Sequence, residues 1–113
     1  HLDNLVAFID RNGLQISGST EDVMPLEPIR QRWEAFGWDV KEENGDDIDS
    51  IADTLDGIDW HCRKPHLIIS KSTKGLGVSY MEGVAKWHHG VPKEPEYEEA
   101  VKEIEQRIEA VSK

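Results

Sequence analysis

The stretch LVAFIDRNGLQISG, residues 5–18, joins a continuous apolar run to a polar turn that contains glycine. The run Leu5–Ile9 has no polar residue, which is typical of a strand buried on both faces of a parallel sheet. Asn12-Gly13 then turns the chain. Because ligands of parallel α/β sheets bind beyond the carboxyl ends of the strands, this stretch predicts a buried strand that ends at a candidate site.

The rest of the chain alternates predicted strands and helices. Short segments predict strands at 38–40 and 67–69, and apolar residues at three- and four-residue spacing predict helices near 29–36, 48–55 and 95–111. Such alternation predicts a three-layer α/β fold with a mainly parallel sheet. We expect residues 5–9 and 67–69 to be buried and to end near the two glycine-containing loops.

Composition excludes several classes of protein. A chain of 113 residues suggests one domain, and its net charge of −10 without a basic cluster argues against binding to nucleic acid. One cysteine, Cys62, fits a reducing, cytoplasmic location. No apolar run approaches the roughly 18 residues of a membrane span, so we expect no association with a membrane.

The turn after the first strand offers oxygen ligands for a hard cation. The amide oxygen of Asn12 and the carbonyl of Leu14 could both face a magnesium ion, because Gly13 lets the backbone curl between them. The commoner explanation of these residues is an ordinary Asn-Gly turn in which Asn12 bonds its own backbone. The residues alone favour that simpler explanation.

The loop after the last strand, residues 74–92, contains Lys74-Gly75-Leu76-Gly77 and the pair His88-His89. Glycine lets the backbone approach a ligand closely, and lysine suits phosphate, but this segment lacks the full phosphate-loop pattern. Adjacent histidines rarely bind one ion together, so a zinc site is not indicated. A histidine here either contacts an anion, takes part in acid–base chemistry, or lies on the surface.

Together these two segments resemble the thiamine-diphosphate-binding domain of transketolases, and the similarity covers nearly the whole chain. Asn12 matches the asparagine that closes the family's cofactor motif, which implies a ligand of the divalent ion, and Leu14 matches the residue that gives the ion a carbonyl. Ile16 matches an apolar residue near the thiazolium ring. His89 begins a match to the family's His-Gly-x-Pro, which implies a catalytic residue that contacts the diphosphate, and Lys74 matches a lysine near the cofactor.

The resemblance implies a transferase of the pentose phosphate type. In that family a two-carbon ketol unit passes between sugar phosphates with the help of thiamine diphosphate and Mg²⁺. The partner is a pyrimidine-binding domain or subunit. Arg11 departs from the Asn or Asp that many members carry before the closing asparagine. The metal role falls on Asn12, so we expect this departure to be tolerated.

The Gly-Asp-Gly that opens the family's motif is absent from these residues. We therefore interpret residues 1–113 as a single partial domain, the carboxy-terminal part of a truncated thiamine-diphosphate-binding domain. We expect this part alone to bind no cofactor, to lack turnover, and to self-associate through exposed strand edges and apolar faces.

An alternative is a non-catalytic interaction or regulatory protein that reuses the fold. Its partner surface would then be the acidic last helix, which carries seven glutamates between residues 94 and 109. Such a helix face is more commonly just solvated.

Overall fold

A parallel three-stranded sheet between helices forms the centre of the computed structural model, which describes residues 2–112. The elements are β1 Val6–Asp10, β2 Leu14–Gln15, β3 Gly18–Ser19, α1 Thr20–Val23, α2 Ile29–Ala35, β4 Asp39–Asn44, α3 Ile48–Asp56, β5 His66–Lys71, a short 3₁₀ helix Ala85–His88, and α4 Glu94–Val111. The predicted α/β class is confirmed, and the predicted helices lie within two residues of the observed bounds.

The strands run in the order β1-β5-β4, with both pairs parallel. His66 at the start of β5 stands opposite Val6 on one side and Asp39 on the other, and Ser70 stands opposite Asp10. All three carboxyl ends therefore meet at one edge of the sheet. The loops that follow β1 and β5 leave the sheet side by side.

The central strand β5 carries the core. Leu67, Ile68 and Ile69 are almost fully buried, and Leu67 and Ile69 share a packed cluster with Val40 and with Trp33 of α2. Neighbouring residues of a strand point to opposite faces, so the face beyond Val40 is that of Lys41, whose ammonium binds the carbonyl of Gly57 at the end of α3. Helices α2 and α3 therefore cover opposite faces of the sheet.

The expected burial of residues 67–69 is confirmed, but that of residues 5–9 is wrong in part. Leu5 is 37% exposed and Phe8 is 49% exposed. Within residues 2–112, β1 pairs only with β5, and α2 packs on the face that holds Ala7 and Ile9. The other face of β1 is left open, so an apolar run here does not mean burial on both sides.

A small hairpin and helix α1 follow β1 and have no counterpart in the predicted elements. In the hairpin Leu14 pairs with Ser19, and the Ser19 hydroxyl caps α1 by accepting from the Asp22 N–H at 3.1 Å. The N–H of Thr20 donates to the Gly13 carbonyl at 2.9 Å, which closes the turn. Across the described residues, the helices lack the length and apolar character needed to cross a membrane.

Candidate functional site

A cavity of about 370 Å³ opens between the two loops at the carboxyl edge of the sheet. It is lined by Asp10, Asn12, Leu14, Gln15, Ile16, Lys74, Ala85 and His88. Residues from the two predicted segments, almost sixty positions apart in sequence, therefore meet around one space. A pocket of this kind, with a few convergent polar groups at the ends of parallel strands, is where ligands bind in such folds.

The amide of Asn12 is held in one orientation. Its Nδ2 donates to Asp10 Oδ2 at 3.2 Å, and its Oδ1 accepts from the Leu14 N–H at 2.9 Å. The second Asp10 oxygen accepts from the Ser72 hydroxyl, so the carboxylate also ties the two loops together. The turn is thus of the ordinary Asn-Gly kind, yet an amide oxygen has two lone pairs, and one on Oδ1 stays available for a cation.

Arg11 turns away from the cavity. Its guanidinium donates to the Thr20 hydroxyl at 2.8 Å and to Glu21 at 2.7 Å, and it also pairs with Glu27. Only 13% of the Arg11 side chain is exposed. The bulky residue that precedes Asn12 therefore fastens α1 and the following loop, and it leaves the cavity free.

Backbone conformations that favour glycine shape the second loop around Lys74. Gly75 has φ +77°, and a Cβ there would stand 2.6 Å from the Met81 carbonyl oxygen. The carbonyl of Lys74 accepts from the Gly83 N–H at 2.9 Å. The loop folds back on itself at this point, and Lys74 is held at the cavity wall.

The 3₁₀ helix that carries His88 is fixed by Trp87. The Trp87 indole N–H donates to the Tyr80 carbonyl at 3.1 Å, and the Tyr80 hydroxyl donates to the Glu96 carbonyl at 2.6 Å. A Cβ on Gly90 would stand 2.6 Å from the Trp87 ring, so glycine is required there. These contacts connect the site loop to the start of α4.

The turn between β4 and α3 supports the second loop from the other side. An oxygen of Asp46 accepts from the Thr73 N–H at 2.8 Å. Hydrogen bonds from the Thr73 side chain and backbone lower the pKa of Asp46, because they favour the charged carboxylate. At the adjacent Gly45, any side chain would collide with the Ser70 hydroxyl.

Four of the five predicted site residues line the cavity, namely Asn12, Leu14, Ile16 and Lys74. His89 is not among the lining residues, and its ring instead lies edge-on against that of His88, with the centroids 4.4 Å apart. The reason is helical pitch. A 3₁₀ helix repeats every three residues, so His88 shares a face with Ala85, while His89 is the residue that ends the helix. The same spacing would have identified His88, had the 3₁₀ helix been predicted.

Comparison with known proteins agrees with this geometry. Residues 1–108 match the family described as transketolase, thiamine diphosphate binding domain. This chain belongs to the transketolase family. Among its relatives, a component of the apulose-4-phosphate transketolase of Phocaeicola vulgatus is 64% identical over 112 residues, covering 99% of this chain and 40% of the relative. The 6-deoxy-6-sulfo-D-fructose transketolase subunit SqwG of a Clostridium species is 38% identical over 104 residues, covering 92% of this chain and 38% of that relative.

Solved structures lead to the same family. The transketolase of Campylobacter jejuni superposes with a TM-score of 0.76 at 32% identity, over 94% of this chain and 16% of that one. The present transketolase-family chain thus spans about two fifths of the length of these related subunits and a smaller part of the Campylobacter enzyme.

Proposed function

We propose that this chain contributes the diphosphate- and metal-binding side of a transketolase that transfers a two-carbon ketol unit between sugar phosphates. The observation that carries the proposal is the convergence of the β1 and β5 loops on one cavity, with Asn12, Lys74 and His88 in its wall. We further propose that residues 1–113 are part of one thiamine-diphosphate-binding domain and depend on the rest of the protein for turnover.

The donor set fits magnesium, the ion we propose for this site. Asn12 Oδ1 and the Leu14 carbonyl are hard, neutral oxygens, which Mg²⁺ accepts. Asp10 adds a carboxylate to the same cavity, and its bond to Asn12 Nδ2 keeps the amide oxygen turned away from that carboxylate. Asn12 and Leu14 would hold the ion, and Asp10 would orient Asn12.

The cavity also suits thiamine diphosphate. When bound, this cofactor supplies the electron sink for the transferred ketol unit. Ile16 gives the cavity an apolar wall for a ring, and Lys74 brings a positive charge for a phosphate. We propose that the tandem histidines contact the diphosphate together: His88 reaches it from the cavity wall, and His89, which the family resemblance favours, holds the His88 ring.

Paired substitutions of the histidines test this assignment. In the complete enzyme, we expect His88→Ala to lower turnover by about 100-fold, since it removes a preorganised donor, whereas His89→Ala should lower it by less than about ten-fold. Steady-state kinetics with a ketose phosphate donor gives both values. A larger loss for His89→Ala would move the contact to that residue, and unchanged turnover in both variants would contradict the site.

We propose that the partner is a protein or domain that holds the pyrimidine ring of the cofactor. The relatives named above are themselves called transketolase subunits, which supports a split enzyme. Their names also point to unusual sugars, so a ketose phosphate donor is proposed here by class only. A cytoplasmic location and a part in pentose phosphate metabolism belong to the same proposal.

Co-purification of the two subunits followed by a transketolase assay checks this arrangement. We expect activity only when the partner, thiamine diphosphate and Mg²⁺ are all supplied, because the cofactor would lie between the two proteins. Activity of this chain without a partner would contradict the proposal. Stable complex formation without activity would instead favour a non-catalytic interaction protein.

A further inference from the structure

A second cluster of chemically active side chains lies at the opposite, amino-terminal edge of the sheet. Asp39 and His66 are the first residues of β4 and β5 and stand opposite each other in register. Cys62 approaches the same point from the loop before β5, and the three side chains bring their polar atoms within 4.8 Å of one another. His66 is only 2% exposed, so its ring is fixed in the protein interior.

The two nitrogens of the His66 ring face different partners. Nδ1 lies 3.1 Å from Asp39 Oδ2, and Nε2 lies 4.0 Å from the Cys62 sulfur. A metal ion could use this set of residue types. However, the lone-pair directions of the two nitrogens diverge, so one ion cannot sit at Nε2 beside the sulfur and also take the place of the proton between Nδ1 and Asp39.

The order carboxylate, imidazole, thiol is instead that of a nucleophile activated by a base that a third group orients. Asp39 accepts the proton on Nδ1, which leaves Nε2 as an acceptor facing the thiol. We propose that Cys62 is a nucleophilic thiol, with His66 as its base and Asp39 as the orienting group, and that it forms mixed disulfides with low-molecular-weight disulfides.

The exchange balances without any further reactant. The Cys62 thiol gives its proton to His66 Nε2 as the sulfur attacks one sulfur of the disulfide, and the disulfide bond breaks. The leaving thiolate then takes the proton from His66. Cys62 ends in a mixed disulfide, one small thiol is released, and the small disulfide is the oxidant.

The loop around Cys62 both fixes it and leaves it reachable. The Cys62 N–H donates to the Asp59 carbonyl at 3.2 Å, and Cys62 is partly exposed. The Trp60 ring lies edge-on to His66 with centroids 5.3 Å apart, which shields the imidazole from solvent. Strand β5, with six residues, separates this cluster from the cofactor cavity by roughly 17 Å. The thiol therefore reacts at a place distinct from the proposed transketolase site.

The test is the rate of mixed-disulfide formation with oxidised glutathione at neutral pH, followed by intact mass and located by peptide mapping. Cys62 is the only cysteine in these 113 residues, so one adduct is expected. We expect His66→Gln and Asp39→Asn to slow the reaction at least about ten-fold, since they remove the base or its orientation. His61→Gln, a neighbouring histidine outside the cluster, is the matched control and should react like the wild type.

Folding of each variant is checked by its thermal midpoint. His66 is buried, and if His66→Gln fails to fold, Asp39→Asn decides the question alone, because the side chain of Asp39 is 38% exposed. Equal rates in the wild type and a folded Asp39→Asn protein would overturn the proposal. So would stoichiometric Zn²⁺ binding, measured calorimetrically, that is lost on Cys62→Ser and blocks the exchange, because the cluster would then be a metal site.

Discussion

Single residues decide what the cavity can bind, and sequence identifies some of them better than others. Asn12 and Lys74 can be predicted because an amide and an ammonium at strand ends suit metal and phosphate, and both line the cavity. His88 and His89 are neighbours of one residue type, so residue chemistry cannot separate them. Only the pitch of the 3₁₀ helix does, and that helix carries no periodic signal of its own.

Gly75 offers a prediction at the same scale. We expect Gly75→Ala to lower the free energy of unfolding by about 2–3 kcal/mol, because it adds a left-handed backbone penalty to a collision with the Met81 backbone at 2.6 Å. Gly83→Ala is the matched control. Its φ is +69°, but a Cβ there meets nothing within 4 Å, so a loss of only about 1 kcal/mol is expected. Urea unfolding of both variants measures the difference, and equal losses would remove the collision as a cause.

At the scale of elements, the three main strands and three long helices could be predicted because each has an apolar pattern of its own. The hairpin β2–β3 could not, since each of its strands has two residues and shows no alternation. Its position depends on contacts between distant residues, such as the bond between Arg11 and Thr20. The exposure of Phe8 could not be predicted either, because neighbours, rather than the strand itself, decide which face is covered.

The link between the β4–α3 turn and the second loop gives a pH-dependent prediction. Bonds from Thr73 lower the pKa of Asp46 below its ordinary value of 3.8, so the folded state favours the carboxylate. The resulting stability is present above that value and is lost as the pH falls through the lower, folded value. We expect Asp46→Asn to be less stable than the wild type at pH 7, and the gap in thermal midpoint to close below about pH 4. A gap that stays constant with pH would contradict this cause.

Helix α4 presents an apolar stripe to solvent. Tyr97, Ile104, Ile108 and Val111 are 58%, 45%, 60% and 88% exposed, and their spacing puts them on one side of the helix. We predict that this stripe drives self-association of the chain when its partner is absent. Light scattering should show dimers or larger species that Ile108→Glu reduces. Gln106→Glu adds the same charge off the stripe and should have no effect, and a monomeric wild type at high concentration would exclude the idea.

At the scale of the whole molecule, the chain is more extended than a compact domain. Its radius of gyration is 17.4 Å, whereas about 13 Å is usual for this length. The cause is α4, which packs on the second loop through Ser79–Glu103 and Arg107–Glu82 contacts. The meeting of the two loops followed from strand alternation, but the order β1-β5-β4 that makes them neighbours could not be predicted from local pattern. Such a shape fits a chain that spans two fifths of its relatives.

The final prediction concerns cofactor affinity of the 113-residue chain without a partner. We expect thiamine diphosphate with Mg²⁺ to bind more weakly than about 0.1 mM. Asn12 and Leu14 give the ion two neutral oxygens, Mg²⁺ loses its water reluctantly, and a net charge of −10 repels the diphosphate. Lys74 and the histidines offset only part of this, since they lie on a loop.

Titration calorimetry measures this affinity, with Asn12→Ala as the variant that removes the amide ligand. In the complete enzyme the same substitution should weaken Mg²⁺-dependent binding by at least about ten-fold, because the amide oxygen is then irreplaceable. If the isolated chain instead binds the cofactor tightly, and if that binding requires both Mg²⁺ and Asn12, then the cavity between the β1 and β5 loops is sufficient. The missing charged ligand would in that case be Asp10, the one carboxylate among the residues that line the cavity.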